Sequence, residues 1–245
     1  MSRTVCNILL VLLTVTSGCV DAIGFLGLGQ VFTAAMTGNT VLFGLAIVHS
    51  DGLNAIAYLV ALFGFILGAA AGAVMLRRIR KTTGWSRTVT FTLCFELAAL
   101  VLFAIIVSAS GVRVTRAKVD LMLLILAFAM GVQGVAARRI GVNGVTTTVI
   151  TSTLTGLVET LVWKFGNNRL RIVEKSENTV PLISIVMWIT VIVFYGMGAA
   201  ICGAIEHHWQ LQAIWLPIAI VFTVIVTAAV SEASIAAKQK TEISL

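Results

Sequence analysis

Apolar residues in this chain come in long unbroken runs, and polar residues come in short clusters between them. Eight apolar segments stand out: Val5–Leu26, Val31–Val48, Leu53–Leu76, Thr88–Ser110, Val119–Ala137, Asn143–Trp163, Pro181–Ile205 and Leu211–Val230. Most reach the ~20 residues that a helix needs to cross ~30 Å of hydrocarbon. The ~10-residue alternation of a membrane barrel is absent. Backbone groups in lipid must be satisfied within the segment, so helices are expected. The pattern predicts an all-α integral membrane protein, with residues 1–245 forming a single membrane domain.

Two segments break this pattern. Val31–Val48 and Asn143–Trp163 are rich in Thr and Gly, which are poor helix formers, and each follows a glycine-bearing break. The first break is the more unusual. Between Val20 and Thr40 the chain carries Asp21, Gly24, Gly27, Gly29, Thr33, Thr37, Gly38, Asn39 and Thr40 inside apolar surroundings. A weaker copy runs from Val132 to Gly156. The following segments also match: Phe63-Gly64 and Gly68-Ala69-Ala70 resemble Tyr195-Gly196 and Gly198-Ala199-Ala200. The order span, broken segment, span, span therefore occurs twice, in residues 5–110 and 119–230. A tail, 231–245, follows and reads as a frayed cytoplasmic end.

Charge selects between two topologies. The chain has 17 Lys and Arg against 10 Asp and Glu, for a net charge of +7. If all eight segments cross, with the N-terminus inside, the inner loops hold Arg3, Arg113, Arg116, Lys118, Lys164, Arg169, Arg171, Lys175, Lys238 and Lys240. If the two broken segments return to the side they entered from, the inner set becomes Arg3, Arg77, Arg78, Arg80, Lys81, Arg87, Arg138, Arg139, Lys164, Arg169, Arg171, Lys175, Lys238 and Lys240. Only Arg113, Arg116 and Lys118 then lie outside. The positive-inside rule favours this second arrangement. Each half then crosses three times, so the halves are inverted, as in many secondary transporters. The expected fold is two inverted repeats, each with three membrane-crossing helices plus one re-entrant segment. Both termini are expected on the cytoplasmic side.

Composition narrows the function. The chain is 59% hydrophobic and 11% charged, against about 25% charged in soluble domains. Its basic residues lie in loops, which points to the lipid bilayer rather than nucleic acid. Arg3, the first apolar run and Thr16-Ser17-Gly18-Cys19 have the outline of a cleaved leader. Apolar sequence continues beyond them, so an uncleaved first span is expected. Cys6, Cys19, Cys94 and Cys202 show no CxxC spacing and read as packing residues, with neither a disulfide nor a zinc site. No nucleophile–base constellation, phosphate loop or HExxH motif is present. The expectation is a protein that is not an enzyme and uses no cofactor or metal.

The candidate site rests on polar groups within spans. Asp21 is an intramembrane acid, which by default marks an ion or substrate path. It reads equally as a cap for the broken segment after it. Thr37, Gly38, Asn39 and Thr40 offer hydroxyls, an amide and close backbone approach. The second half supplies Gln133, Asn143, Thr147, Thr148, Thr151 and Thr153. These side chains also have a structural use, in bonds to helix backbone. Glu96 is a second intramembrane acid, read either as a protonation site or as the partner of Arg138 or Arg139. Glu206-His207-His208 reads as a solvated loop, because adjacent histidines do not share a helix face. Gly64, Gly68 and Gly72 form consecutive GxxxG spacings, which fit close packing inside the protomer or in a homodimer.

Gly18-x-Val20-Asp21-Ala22, Phe32 and Thr37-Gly38-Asn39-Thr40 resemble the YoaK-like bacterial membrane proteins, a family of unknown function. The likeness extends through Gly131-Val132-Gln133-Gly134 and the Thr-rich stretch to Thr155. Here Thr151-Ser152-Thr153 stands where Thr-Gly-Thr is more usual. The resemblance implies a bacterial inner membrane and a multipass fold, and carries no activity. The architecture predicts a secondary transporter or permease for a small polar or ionic solute. A non-transporting partner or regulatory subunit is the alternative.

Overall fold

A computed structural model describes residues 1–49, 52–77, 84–109, 115–140, 154–158 and 182–243, with the side chains of the last stretch described over 185–234. Among these residues there is no strand. The helices are α1 (Arg3–Gly27), α2 (Met36–Val48), α3 (Ala55–Leu76), α4 (Arg87–Ala109), α5 (Arg116–Ile140), α6 (Leu182–Trp209) and α7 (Trp215–Ile243). Residues 154–158 are also helical. The rest of Asn143–Trp163, with Asn143, Thr147, Thr148, Thr151 and Thr153, lies outside the described residues.

Among the described residues, five stretches are long and apolar enough to cross a membrane. The last of them, Ile185–Ser234, has 50 residues, and the 3-10 turn Gln210–Ile214 divides it into α6 and α7. Gln210 takes a positive φ of 52° there. Leu211–Ile214 therefore belongs to that turn rather than to the last span. The end of α7 is a second correction: the tail read as frayed is helical to Ile243. Its Ala, Lys, Gln and Glu residues are strong helix formers and need no packing to adopt that state. Many large apolar side chains point outward, including Phe63, Ile66, Val74, Ile105, Val193 and Phe222. On a membrane helix such positions meet lipid.

Two helix pairs hold the bundle together, α1 with α6 and α3 with α5. Both are built on glycine. A Cβ on Gly68 would run into the backbone of Phe128, and one on Gly131 into the backbone of Phe65 and Ala69. A Cβ on Gly198 would meet the backbone of Val15, and one on Gly18 that of Tyr195 and Ala199. The spacings coincide: Val15 and Gly18 sit as Phe128 and Gly131 do, while Tyr195, Gly198 and Ala199 sit as Phe65, Gly68 and Ala69 do. Gly64, Gly68 and Gly72 meet Leu124, Phe128 and Val132 in register, so α3 and α5 run parallel. Lipid tails are as apolar as side chains, so no hydrophobic effect drives this pairing. Close van der Waals contact drives it, and glycine permits that contact. The GxxxG face of α3 is thus occupied inside the protomer.

The ends of the bundle are tied as well. Arg87, at the start of α4, lies 4.0 Å from Glu232 in the second half of α7. The Met1 amino group also acts electrostatically on Glu232. The starts of α1 and α4 therefore share one end of the bundle. At the other end, Gly27 meets Leu211 and Glu206 at the α6–α7 turn. Arg139 donates to the Leu76 carbonyl at 3.3 Å, joining the ends of α5 and α3.

Candidate functional site

The α1 helix stops at Gly27, and the chain then folds back along it. Gly29 (φ 94°) and Gln30 (φ 61°) make the left-handed turn, and the Gln30 N–H closes it on the Phe25 carbonyl at 2.9 Å. Glycine takes such a φ without strain. The next residues, Val31 to Ala35, are not helical, which corrects the predicted start of that segment from Val31 to Met36. They lie against the face of α1 that carries Asp21 and Gly24. A Cβ on Gly24 would stand 2.7 Å from the Val31 carbonyl oxygen, so only glycine lets this backbone pass.

Asp21 is six residues before the end of α1, about 9 Å along its axis at 1.5 Å per residue. It is 3% exposed. Its Oδ1 accepts the N–H groups of Thr33 at 2.7 Å and Ala34 at 2.6 Å, and the Thr33 hydroxyl at 3.3 Å. Its Oδ2 accepts the Ala35 N–H at 3.1 Å and the Tyr195 hydroxyl of α6. These N–H groups immediately precede α2, where backbone donors have no helical partner and where the helix dipole favours an anion. A carboxylate from α1 thus takes the N–H groups just ahead of α2, and no side chain caps the helix itself. Ala35, the residue at the cap position, has no side chain to do so.

Asn39 closes the same loop from the other side. Its Oδ1 accepts the Phe32 N–H at 2.9 Å, and its Nδ2 donates to the Phe32 carbonyl at 2.5 Å. The amide imitates a paired strand for one residue and is fully buried. The Phe32 ring stacks on Phe25 with centroids 4.9 Å apart, and Gly38 packs beneath that ring. Thr37 and Thr40 are exposed on the first turn of α2, and Thr40 bonds back to the Met36 carbonyl at 3.0 Å.

The remaining predicted groups lie elsewhere. Gln133 is buried and donates from Nε2 to the Leu13 carbonyl at 2.7 Å and to Ser17 Oγ at 2.8 Å, tying α5 to α1. Its Oε1 has no hydrogen-bond donor among the described residues. Glu96 is buried on α4, and neither of its oxygens has a partner among the described residues. The pair predicted as an alternative, with Arg138 or Arg139, is not formed there. Asp21, Gly38 and Asn39 are thus brought together, whereas Gln133 and Glu96 make no hydrogen bond to them. Sequence reasoning did not foresee Tyr195 and Thr33 as partners of Asp21. The available signal was a tyrosine inside an apolar span, one of two in the chain, since a buried tyrosine hydroxyl needs a partner.

Residues 9–227 match a family described as "Protein of unknown function (DUF1275)". The chain is also similar to the UPF0700 transmembrane protein YoaK of Bacillus subtilis (strain 168), with 36% identity over 222 residues, covering 91% of this chain and 93% of that one. No solved structure matches. The matched span runs from α1 into α7 and includes Asp21, Asn39 and Tyr195, and the chain, a multipass membrane protein by its apolar helices, belongs to the DUF1275 family.

Proposed function

We propose that the chain is a secondary transporter or channel-like permease for a small polar or ionic solute. It is built from inverted repeats, residues 5–110 and 119–230, in a bacterial cytoplasmic membrane with both termini inside. One observation carries this reading: Asp21 holds a broken backbone segment alongside α1, about 9 Å inside the end of that helix at 1.5 Å per residue. Irregular backbone is tolerated at that depth only where protein buries it or where it lines a cavity. In transporters such segments carry the solute site.

Two further features support the architecture. The starts of α1 and α4 share one end of the bundle, so the chain crosses an even number of times between them. The α1 and α3 helices have 25 and 22 residues, while α2 has 13, about 20 Å at 1.5 Å per residue. That length suits the re-entrant role this reading gives α2. The matched glycine pairings, α1 on α6 and α3 on α5, are those that exchanging the two halves would produce.

Within this reading Asp21 and Asn39 hold the loop, because protein groups already engage them. Thr37 and Thr40, exposed and three residues apart on one face of α2, are the groups left to meet a solute. Uptake of a broad solute panel into proteoliposomes tests the proposal. Flux abolished by Thr37→Ala with Thr40→Ala supports it, and no flux from folded protein overturns it. Cysteine accessibility tests the topology: the 77–87 and 166–178 loops are expected on the same side.

Saturation of Asp21 and Asn39 by protein groups favours one second reading, a non-transporting regulatory subunit. Stoichiometric capture of one membrane partner, with no flux, would select it.

A further inference from the structure

Glu96 is a charged residue type placed where nothing receives a charge. Val89, Leu93, Glu96, Leu100 and Phe103 form one buried stripe along α4, at the spacing of a single helix face. Glu96 is 0% exposed, and both carboxyl oxygens lack a hydrogen-bond donor among the described residues. The elements packed on α4 are α3, α5, α7 and the 3-10 turn.

Their titratable groups do not reach it. The α3 helix brings only Tyr58. The charges of α5 sit near its ends, Arg116, Lys118 and Asp120 at one and Arg138 and Arg139 at the other. On α7, Glu232 is engaged with Arg87, and Lys238, Lys240 and Glu242 follow further along the sequence. The turn Gln210–Ile214 has no titratable residue.

An ionised carboxylate in such a place costs several kcal/mol unless paired, so natural sequences keep one within a span chiefly on an ion or proton path. A metal cation would need several oxygen ligands, six to eight for calcium. No cluster of three His, Cys, Asp or Glu exists among the described residues. The Thr92 hydroxyl, one turn away, is donated to the Thr88 carbonyl at 2.8 Å. A lone carboxyl suits one cation, the proton.

We infer that Glu96 is a proton-binding site within the membrane, and that the coupling ion of the proposed transport cycle is H⁺. The second clause rests on the transporter reading, and the first does not. The step balances simply. A Glu96 oxygen takes H⁺ from water on one side, forming an O–H bond and a neutral carboxyl. The same bond breaks when Glu96 is exposed to the other side, returning H⁺ to water with no electron transfer.

The test separates the two clauses. Infrared difference spectra of purified protein in lipid, wild type minus Glu96→Gln, are expected to show the carbonyl stretch of a protonated carboxylic acid at neutral pH. A hydrophobic carbodiimide, which reacts with protonated carboxyls, is expected to modify Glu96 in a mapped digest of wild-type protein, and to do so less as pH rises. This second measurement needs no variant, so it holds if Glu96→Gln fails to fold. A carboxylate band in place of the acid band, with no carbodiimide adduct at any pH, overturns the proton site. If the acid band is present, uptake driven by an imposed pH gradient in wild type, and lost in Glu96→Gln, establishes coupling. Uptake indifferent to the gradient overturns the coupling while the proton site stands. No uptake of any solute overturns the transporter reading alone.

Discussion

Asp21 and Glu96 are both acids on membrane-length helices, both buried, and their surroundings are opposite. Asp21 accepts hydrogen bonds from three backbone N–H groups and two hydroxyls, drawn from the returning loop and from α6. Glu96 receives none among the described residues. The contrast shows that an intramembrane acid is not one kind of signal. Where a chain break frees backbone donors, the acid becomes the connector that closes the break. Where the surrounding helix is intact, its own N–H groups are already used and none turns toward the carboxyl.

This comparison can be broken by unequal losses of stability, measured by denaturant or thermal unfolding in detergent. Asp21→Ala is expected to have the largest effect. It strands the Thr33, Ala34 and Ala35 N–H groups in a buried site, and loss of about 3–5 kcal/mol is the scale for breaking such a network. Asp21→Asn keeps one acceptor oxygen and is expected to lose less. A Glu96→Gln loss as large as that of Asp21→Ala would refute the contrast.

Asn39→Ala comes next. It leaves the Phe32 N–H and carbonyl without partners, at about 2 kcal/mol for buried groups left unmet. Tyr195→Phe removes one charge-assisted bond, at about 1.5 kcal/mol. A double-mutant cycle of Asp21→Asn with Tyr195→Phe is expected to show coupling, since the two residues touch. Additive losses would mean that α6 does not hold the loop through Asp21. The smallest effect belongs to Glu96→Gln, because a neutral isostere replaces a group that makes no hydrogen bond among the described residues.

Much of the fold could be read from the chain. Long apolar runs define spans because lipid forbids unsatisfied backbone, so length and hydropathy suffice. The break after Gly27 was visible because Gly and Thr are poor helix formers. Helix starts and ends were less legible: five residues, Val31 to Ala35, are as apolar as a helix yet are not helical, and Val31 and Thr33 pass over Gly24. Apolar character reports an environment without water, and it does not distinguish an extended backbone from a helical one once Asp21 satisfies the N–H groups.

The site was legible as a cluster but not as a mechanism. Asp21 and Asn39 stood out by polarity, and the cap for Asp21 was one of two open readings. Asn39 stood out with a ligand reading and a structural reading both open, and its amide bonds the Phe32 backbone. Polarity identifies a side chain that needs a partner without identifying the partner. Tyr195 lies 174 positions away in the chain, and only the packing of α6 on α1 brings them together.

The sequence by itself determined that this is an all-helical multipass membrane protein, where its backbone breaks, and which few residues carry polarity into the bilayer. Those properties follow from hydropathy and local propensity, which act within a few residues. Tertiary structure alone decided that Gly18 and Gly198, and Gly68 and Gly131, meet in two matching pairs. It also decided that Asp21 is saturated while Glu96 has no hydrogen-bond partner among the described residues. The physical reason is the same in each case: in lipid, contact and hydrogen bonding between distant helices set the outcome, and neither is encoded by spacing along one segment.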